Sequence, residues 1–427
     1  MMLTAWAGAT TAAAPGLNLL LQFRLRRGKE IPTRLAERRG VDPTPRPPGP
    51  LIWAHAASVG ETMSFLPVLA ALAAKAPALT LLMTTGTVTS AELLARRIPD
   101  MGLESRVLHR FAPLDVPAWG ARFLDHWRPD AGCLVESELW PNLLAACKRR
   151  GVPLMLMNAR LSPRSHARWR RVPGVARTLL DCFDRIEARS EADAERLRSL
   201  GAKAVGVPGD LKFAAPPLPA DPAELDRLRG LLNGRPVWLA ASTHPGENAA
   251  IVEAHRLLAP RHPGLLTVIV PRHPERGRAV AELAGAVACT RRAAPADPPA
   301  EGGVYVADTV GELGLWYRLA PVAFIGGSLI PHGGQNPLEA ARLGCAIAAG
   351  PHMGNFAVAI EELERMGALW RVSDPGTLAA WVDAALRDPG LGQAMGEAGR
   401  AAADRWADLP GRSADALLAL LPRAEAA

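Results

Sequence analysis

The sequence has few cysteines and few aromatic residues, and each shortage excludes a class of protein. Its five cysteines are odd in number and widely spaced, with no C-x-x-C pair and no Cys/His cluster of zinc-ligand spacing. This excludes a disulfide-stapled fold and predicts buried free thiols. Aromatic residues make up only 5% of the chain, and none interleave with the basic residues of the segment 24–46 as they would on a nucleic-acid-binding surface. We therefore expect no nucleic-acid partner and no metal cofactor.

Long apolar runs and phosphate-binding fingerprints are also missing. The 23 uncharged residues at the N-terminus are interrupted by Pro15-Gly16 and are rich in Ala, Thr and Gly. They are a poor candidate for a membrane-spanning helix, because such a helix needs about 20 strongly apolar residues. Neither a P-loop nor a G-x-G-x-x-G motif follows the first apolar run. The sequence therefore argues against a nucleotide hydrolase of the P-loop type.

Apolar residues are plentiful, and they occur in short runs. The chain has 427 residues, of which 49% are hydrophobic and 21% charged, with 39 Gly and 39 Pro. This length indicates two domains or one large one. The Gly and Pro content favours many short loops between buried elements, and the composition excludes a disordered or fibrous protein.

The positive charge of the chain is concentrated near the N-terminus. Residues 24–46 carry eight Arg or Lys against three Asp or Glu, which is +5 of the total net charge of +7. This charge follows the apolar segment, whereas a signal peptide has its charge in front. We predict that residues 1–46 form a membrane-surface segment whose basic side chains meet anionic headgroups. The alternative is a packing helix with a solvated basic face. Deletion of residues 1–23 should release the protein from membranes and spare the folding of the two domains.

The body of the chain alternates short apolar runs with amphipathic stretches. The runs typical of buried parallel strands are 51–57, 79–85, 131–136, 152–159, 185–190, 236–242, 265–271, 303–308, 321–327 and 345–350. The amphipathic stretches include 61–75, 139–150, 191–200, 246–258 and 310–319. This alternation predicts an α/β fold with doubly wound parallel sheets. A Pro-rich linker at 214–222 would separate two Rossmann-like domains, residues 47–213 and 223–427.

Polar residues follow several of the predicted strands, where ligands bind in doubly wound sheets. The first half offers the carboxylates of Glu61 and Glu136 and, before the linker, Lys212. The second half offers Arg272 and the Gly-rich loop that starts at Gly326, where free backbone N–H groups would suit a phosphate. A phosphate site together with a base predicts group transfer from an activated nucleotide.

Helix capping is a competing interpretation of two of these sites. Ser58-x-x-Glu61 has the spacing of a capping box, with Ser58 as N-cap and Glu61 at the third helical position. Asn336-Pro337-Leu338-Glu339 has the same spacing, with proline at the favoured first position. Spacing alone does not separate capping from function at either site.

Eight motifs, taken in order, resemble those of the bacterial 3-deoxy-D-manno-octulosonic acid (Kdo) transferases. They are HAASVGE (55–61), ESELWPN (136–142), NARLS (158–162), GDLKF (209–213), STHPGE (242–247), VPRHPER (270–276), DTVGEL (308–313) and GGSLIPHGGQNPLEAA (326–341). The resemblance covers residues 17–420. It implies a GT-B fold, in which two Rossmann-like doubly wound parallel-sheet domains face a cleft.

The resemblance also implies an activity and roles for individual residues. The expected reaction is transfer of Kdo from CMP-Kdo to a lipid A precursor (lipid IVA), with inversion, in lipopolysaccharide inner-core biosynthesis. Glu61 matches the catalytic base of the family, and Glu136 and Lys212 match residues that stabilise the transition state. The positions that match the CMP-binding segments are Pro271, Arg272, Val310, Gly311, Glu312, Asn336, Pro337, Leu338 and Glu339.

The implied partners are CMP-Kdo, the lipid A precursor and an anionic membrane surface, at the cytoplasmic face of the bacterial inner membrane. Two other functions fit the same residues. One is a GT-B transferase that uses another nucleotide sugar. The other is a catalytically silent membrane-surface binding protein that keeps the fold. The joint presence of Glu61, Glu136 and Lys212 favours an enzyme.

Overall fold

The structure, a computed structural model, describes residues 2–422 and divides into two compact units. The first unit contains the residues up to Ala215 together with those from Asp408 onward. The second unit is Pro216–Ala407. The boundary after Ala215 lies inside the segment predicted to be the linker.

The first unit is built on a parallel sheet. Its strands are β1 (Leu51–Ala56), β2 (Thr80–Thr85), β3 (Val107–Phe111), β4 (Ala131–Val135), β5 (Leu154–Ala159), β6 (Arg185–Ala188) and β7 (Val205–Gly206). The helices up to the boundary are α1 (Met2–Ala12), α2 (Ala14–Arg26), α3 (Val59–Lys75), α4 (Val88–Asp100), α5 (Pro117–Trp127), α6 (Pro141–Arg149), α7 (Pro163–Trp169), α8 (Pro173–Leu180) and α9 (Glu191–Ser199). The strand order is β3-β2-β1-β4-β5-β6-β7. The order reverses between β1 and β4, where ligands bind in such sheets.

The second unit repeats this architecture. Its strands are β8 (Val237–Thr243), β9 (Leu266–Pro271), β10 (Cys289–Arg291), β11 (Gly303–Val306), β12 (Val322–Ile325), β13 (Ala346–Ala349) and β14 (Leu369–Arg371). Its helices are α10 (Pro222–Leu232), α11 (Asn248–Leu258), α12 (Gly277–Ala284), α13 (Leu313–Leu319), α14 (Leu338–Arg342), α15 (Ala357–Arg365), α16 (Pro375–Arg387) and α17 (Pro389–Asp404). The parallel sheet has the order β10-β11-β9-β8-β12-β13-β14, and its order reverses between β8 and β12.

All ten apolar runs are confirmed as strands, and the strands missing from the prediction are the edges of the two sheets. The missed strands are β3, β7, β10 and β14. Central strands are covered on both faces, so they are continuous apolar runs, as in β1, where all six residues are buried. Edge strands are short and carry polar or charged side chains, as β3 does with His109 and Arg110.

The N-terminal helices pack on the first unit. Leu21 of α2 is buried against Leu35, Val116 and Trp119. Thr10 of α1 accepts a 3.0 Å hydrogen bond from the Asn142 side chain. The segment is therefore part of the fold as well as an exposed surface. The expectation that removal of residues 1–23 spares folding is revised, because the deletion would uncover this apolar cluster.

The C-terminal helix α18 (Leu409–Leu418) belongs to the first unit. Leu409 and Leu417 are fully buried, and the buried Ser413 hydroxyl donates to Glu187 at 2.9 Å. The predicted second domain, residues 223–427, therefore differs from the compact unit at its C-terminal end, since α18 packs along α3. Within residues 2–422, no helix combines the length and apolar composition needed to cross a membrane.

Candidate functional site

The carboxyl ends of β1 and β4 bring the predicted catalytic residues of the first unit to one edge of the sheet. Glu61 lies in the first turn of α3, which follows β1, and Glu136 directly follows β4. Lys212 lies on a short 3₁₀ turn, Leu211–Ala214, further along the chain. The strand order reverses between β1 and β4, so the structure places these residues at the carboxyl ends of the strands where a doubly wound sheet binds its ligand.

Glu61 completes the capping box predicted from its spacing. The Ser58 hydroxyl accepts from the Glu61 backbone N–H at 3.4 Å and donates to Glu61 Oε1 at 3.0 Å. Glu61 Oε2 accepts from the backbone N–H of Ala57 at 2.6 Å and of Ser58 at 3.4 Å. The cap fixes the position of the half-buried carboxylate relative to the end of β1.

The surroundings of Glu61 favour its protonated form. Burial raises the pKa of this carboxyl most, and the negative charge of Glu138 raises it further. Glu136 adds a smaller repulsion in the same direction, against the lowering by the hydrogen bonds from Ala57 and Ser58. A carboxylate with a raised pKa is a stronger base than an ordinary glutamate, which is what proton abstraction from a hydroxyl needs.

Glu136 and Lys212 form an ion pair although 76 residues separate them in the chain. Lys212 Nζ donates to Glu136 Oε1 at 2.8 Å. The Glu136 side chain is buried, whereas the Lys212 side chain is 38% exposed. Glu136 has a φ of 64°, in the left-handed region that non-glycine residues rarely adopt. Such backbone strain is common at functional sites, where the surrounding structure maintains it.

Two side chains position the turn that carries Lys212. Asp210 caps it by accepting from the Lys212 backbone N–H at 3.0 Å. Asn158, buried at the end of β5, accepts from the Leu211 backbone N–H at 3.0 Å. Asn158 also has a positive φ, 52°. An asparagine that ends an apolar run was the available sequence signal, because asparagine tolerates this conformation better than most residues.

The structure adds Glu138, His55 and Trp140 to the site. Glu138 accepts a hydrogen bond from the Trp140 indole N–H, and its Oε2 lies 3.5 Å from His55 Nε2. Burial opposes ionisation of Glu138, but His55 and Trp140 outweigh it and lower the pKa of this carboxyl. All three residues lie in the motifs that carry the resemblance, yet sequence reasoning assigned them no role.

In the second unit, the buried Glu247 accepts hydrogen bonds from the backbone of the loop after β12. The Glu247 carboxylate accepts from the backbone N–H of His244 at 2.9 Å, of Gly327, and of Ser328 and Leu329 at 3.3 Å each. The expectation that Gly327 and Ser328 offer free N–H groups to a phosphate is therefore wrong. Glu247 ends the motif STHPGE, and nothing in its spacing indicated this role.

The nine predicted CMP-binding residues all lie in the second unit, at the end of β9 and directly after it, after β11, and in the segment before β13. Arg272 is exposed beyond the end of β9, and its charge opposes the rise that burial causes in the pKa of Glu339. Asn336 Oδ1 accepts from the Leu338 N–H at 3.1 Å, and Asn336 Nδ2 donates to Glu339 Oε1 at 3.3 Å. Capping at this site is thus a variant of the predicted box, with α14 beginning at Leu338.

Most side chains at the remaining predicted CMP-binding positions are buried or paired within the protein. Pro271, Pro337 and Leu338 are buried. Glu312 pairs with Arg292 at 2.7 Å, and this ion pair lowers the pKa of Glu312. Val310, 86% exposed, and Gly311 are the exposed positions among them. Among the described residues, no group of three or more His, Cys, Asp or Glu is placed to hold a metal ion.

Known proteins resemble this chain over most of its length. The family model "3-Deoxy-D-manno-octulosonic-acid transferase (kdotransferase)" matches residues 33–215. A probable mitochondrial 3-deoxy-D-manno-octulosonic acid transferase of Arabidopsis thaliana is 38% identical over 394 residues, which are 89% of this chain and 87% of that protein. The 3-deoxy-D-manno-octulosonic acid transferase of Haemophilus influenzae is 35% identical over 373 residues, 86% of each protein.

A solved structure supports the fold. The crystal structure of a glycosyltransferase from Rickettsia africae aligns with a TM-score of 0.60 and 15% identity, covering 88% of this chain and 99% of that chain. At this identity the likeness concerns the fold alone. Together with the two parallel seven-stranded sheets formed within residues 2–422, it confirms the predicted fold class, two Rossmann-like units of the GT-B type.

Proposed function

The chain belongs to the Kdo transferase family of glycosyltransferases, and we propose that it transfers Kdo from CMP-Kdo to a lipid A precursor, lipid IVA, with inversion. The reaction would serve lipopolysaccharide inner-core biosynthesis. The family assignment rests on relatives that are 38% and 35% identical over 89% and 86% of the chain. The observation that carries the proposal is the placement of Glu61 and the Glu136–Lys212 pair at one edge of the first sheet.

Glu61 is the proposed general base. Its carboxylate takes the proton of an acceptor sugar hydroxyl while the hydroxyl oxygen forms a bond to the anomeric carbon of Kdo. The bond from this carbon to the phosphate oxygen breaks, and its electron pair leaves with CMP. Attack from the face opposite the leaving group inverts the anomeric centre, as in inverting glycosidases. The raised pKa of Glu61 suits this role.

The Glu136–Lys212 pair is proposed to stabilise the charges that develop during transfer. Departure of CMP leaves an oxocarbenium-like sugar, which a carboxylate stabilises, and adds negative charge to the phosphate. Glu136 alone would also repel the carboxylate of Kdo. Lys212 at 2.8 Å offsets that repulsion, and its partly exposed ammonium group is available to the donor.

The second unit is proposed to hold CMP. Arg272 offers a planar set of N–H donors to the phosphate, and its exposure leaves it accessible. Val310, Gly311 and Glu312 and the segment from Asn336 to Glu339 would contact the nucleotide mainly through their backbone. We propose that these groups act without a metal ion, so chelation with EDTA should leave the transfer rate unchanged.

The N-terminal helices supply the proposed membrane contact. Leu19, Leu20 and Phe23 of α2 are 73%, 47% and 50% exposed, and Arg26 and Arg27 follow at the exposed end of the same helix. Apolar side chains beside basic ones suit an anionic lipid surface. We place the enzyme at the cytoplasmic face of the bacterial inner membrane, where a lipid-linked acceptor would be held.

The direct test is transfer by the full chain in detergent, with CMP-Kdo and lipid IVA, followed by mass spectrometry of the lipid. The expected product is the acceptor with one or more added Kdo residues, and the Glu61→Gln variant serves as the inactive control. Folded protein that leaves both substrates intact would contradict the proposed donor and acceptor. Transfer from a different nucleotide sugar in the same assay would favour the alternative GT-B activity.

A further inference from the structure

We propose that a pocket of the first unit, beside the proposed catalytic carboxylates, binds one acyl chain of the lipid acceptor. The pocket lies between α2 and the loops at the carboxyl edge of the sheet. Its lining includes Leu20, Leu21, His55, Ala112, Leu114 and Trp140. The inference rests on the proposed function, since it assigns a place to part of the proposed acceptor.

The size of the pocket indicates a single chain. Its volume is about 230 Å³. Pockets for drug-sized ligands usually have volumes of roughly 300–1,000 Å³, so a disaccharide headgroup with its phosphates would not fit. One flexible acyl chain, or part of one, is small enough for this volume.

The charged groups of the lining are already paired, which leaves an apolar interior. Glu30 accepts from Arg24 at 2.8 Å and from Arg38 at 3.0 Å. The buried Arg38 also donates to the backbone carbonyl oxygens of Thr85, Gly86 and Ala112. With these hydrogen bonds made within the protein, the pocket has little to offer an anionic group and favours hydrocarbon.

The position of the pocket connects the exposed apolar face of α2 with the carboxylates. Leu20 lines the pocket and is also 47% exposed, next to Leu19 and Phe23 on the surface of α2. At the other side, His55 and Trp140 line the pocket and contact Glu138, whose charge acts on Glu61. An acyl chain that enters beside Leu20 would bring the attached sugar towards Glu61.

The basic residues that follow the pocket-lining part of α2 suit an anionic lipid. Arg26, Arg27 and Lys29 are exposed at the end of α2, and these side chains would meet the phosphates of the acceptor. An uncharged apolar partner would not need them. The occupant is therefore an acyl chain of an anionic glycolipid, with its headgroup held outside the pocket.

The test compares Leu20→Trp with Leu19→Trp. Both side chains are exposed on α2, but only Leu20 lines the pocket. A larger side chain at position 20 should fill the entrance without disturbing the core. The measurement is kcat/KM for the acylated acceptor and for the same acceptor with its acyl chains removed.

We expect Leu20→Trp to lower the ratio of these two kcat/KM values by about tenfold or more, because several methylene groups lose their burial. Leu19→Trp should leave the ratio close to that of the unchanged chain. The proposed acyl-chain site would be overturned if the kcat/KM ratio were equal in the two variants. It would also be overturned if Leu20→Trp lowered transfer to the acylated and the deacylated acceptor alike.

Photocrosslinking tests the pocket independently of transfer. The probe is a phosphorylated N-lauroylglucosamine with a diazirine at the end of its chain, applied to the full protein. Label should appear at residues 20–21 or 112–114 in the unchanged chain and in Leu19→Trp, and disappear in Leu20→Trp. Label at other residues, or label unaffected by Leu20→Trp, contradicts the pocket. If this pattern appears while no acceptor receives Kdo, the proposed reaction fails and the acyl site stands.

Discussion

At the scale of single residues, the capping box at Glu61 is compatible with the proposed role of this carboxylate as a base. An ionised carboxylate has about four lone-pair sites, and the capping box uses the Glu61 oxygens for the N–H groups of Ala57 and Ser58 and for the Ser58 hydroxyl. The two interpretations of the Ser58-x-x-Glu61 spacing are therefore not exclusive. The cap holds the carboxylate in place, and the remaining lone pair is free for an acceptor hydroxyl.

A pair of variants separates the two roles of Glu61. Glu61→Gln keeps a side chain that can occupy the third helical position but removes the base, so transfer should fall by ~10² or more with near-native stability. Ser58→Ala removes the cap and keeps the carboxylate, so unfolding free energy should fall by about 1 kcal/mol while transfer persists. Transfer rates and denaturant unfolding of both variants give the comparison. A loss of stability in Glu61→Gln that matches its loss of transfer would indicate that Glu61 acts only as a helix cap.

The neighbouring Glu138 should set the pH range of activity. After burial, its charge is the strongest factor that raises the pKa of Glu61. The base acts only when deprotonated, so kcat falls as the pH drops through this raised pKa. In Glu138→Gln the repulsion is lost, the pKa of Glu61 falls, and the acidic limb of the profile should move to lower pH. The control is Glu104→Gln, an exposed position of the same unit, and an acidic limb that stays in place in Glu138→Gln would contradict the coupling.

At the scale of elements, α2 has one face that packs against the first unit and one face that is exposed. Leu17, Leu21 and Leu25, spaced at four residues, pack against the cluster of Leu35, Val116 and Trp119. The exposed face carries Leu19, Leu20 and Phe23. The spacing of these packed leucines is helical and agrees with the alternative of a packing helix. Only the structure shows that α2 combines this packed face with an exposed apolar face.

This division of faces predicts which changes affect membrane binding. The double variant Leu19→Ser/Phe23→Ser should bind vesicles that contain phosphatidylglycerol more weakly, because it removes apolar surface from the exposed face. Its unfolding temperature should not change, since neither residue is buried. Cosedimentation with vesicles measures the binding, and Leu231→Ser, an exposed leucine of the second unit, is the control. Equal binding by the double variant and the control would exclude α2 as the membrane contact.

At the scale of the whole molecule, the first unit is formed from two separate stretches of the sequence, whereas the second unit is one continuous stretch. The chain completes the first unit with α18, after the second unit has been formed from Pro216–Ala407. Lys75 at the end of α3 pairs with Asp415 at 2.7 Å, and the buried leucines of α18 lie along α3. The end of the chain thus contributes to the unit that carries Glu61.

A truncation after Ala407 should therefore destabilise the first unit selectively. Amide hydrogen exchange should accelerate in α3 and β6, which α18 covers or contacts, and should stay unchanged in β8 and β9. The control Lys75→Gln should have little effect, because an exposed ion pair contributes at most ~1 kcal/mol. Faster exchange confined to the second unit would contradict this assignment of α18.

The sequence by itself determined the central strands, the two-unit α/β organisation and the candidate residues. These features are local: a strand buried on both faces is a continuous apolar run, as in β1, and a capping box is a fixed spacing, as in Ser58 and Glu61. The edge strands were not predictable, because partial exposure lets them carry residues such as His109 and Arg110.

Only the tertiary structure decided which distant residues meet. Lys212 reaches Glu136 because the turn after β7 returns to the end of β4, and no spacing encodes that approach. The hydrogen bonds from the loop after β12 to Glu247 and the packing of α18 along α3 also join distant parts of the chain, and no spacing encodes them either. Contacts between residues far apart in the chain depend on the packing of the whole sheet, whereas sequence patterns report only how each segment meets solvent and core.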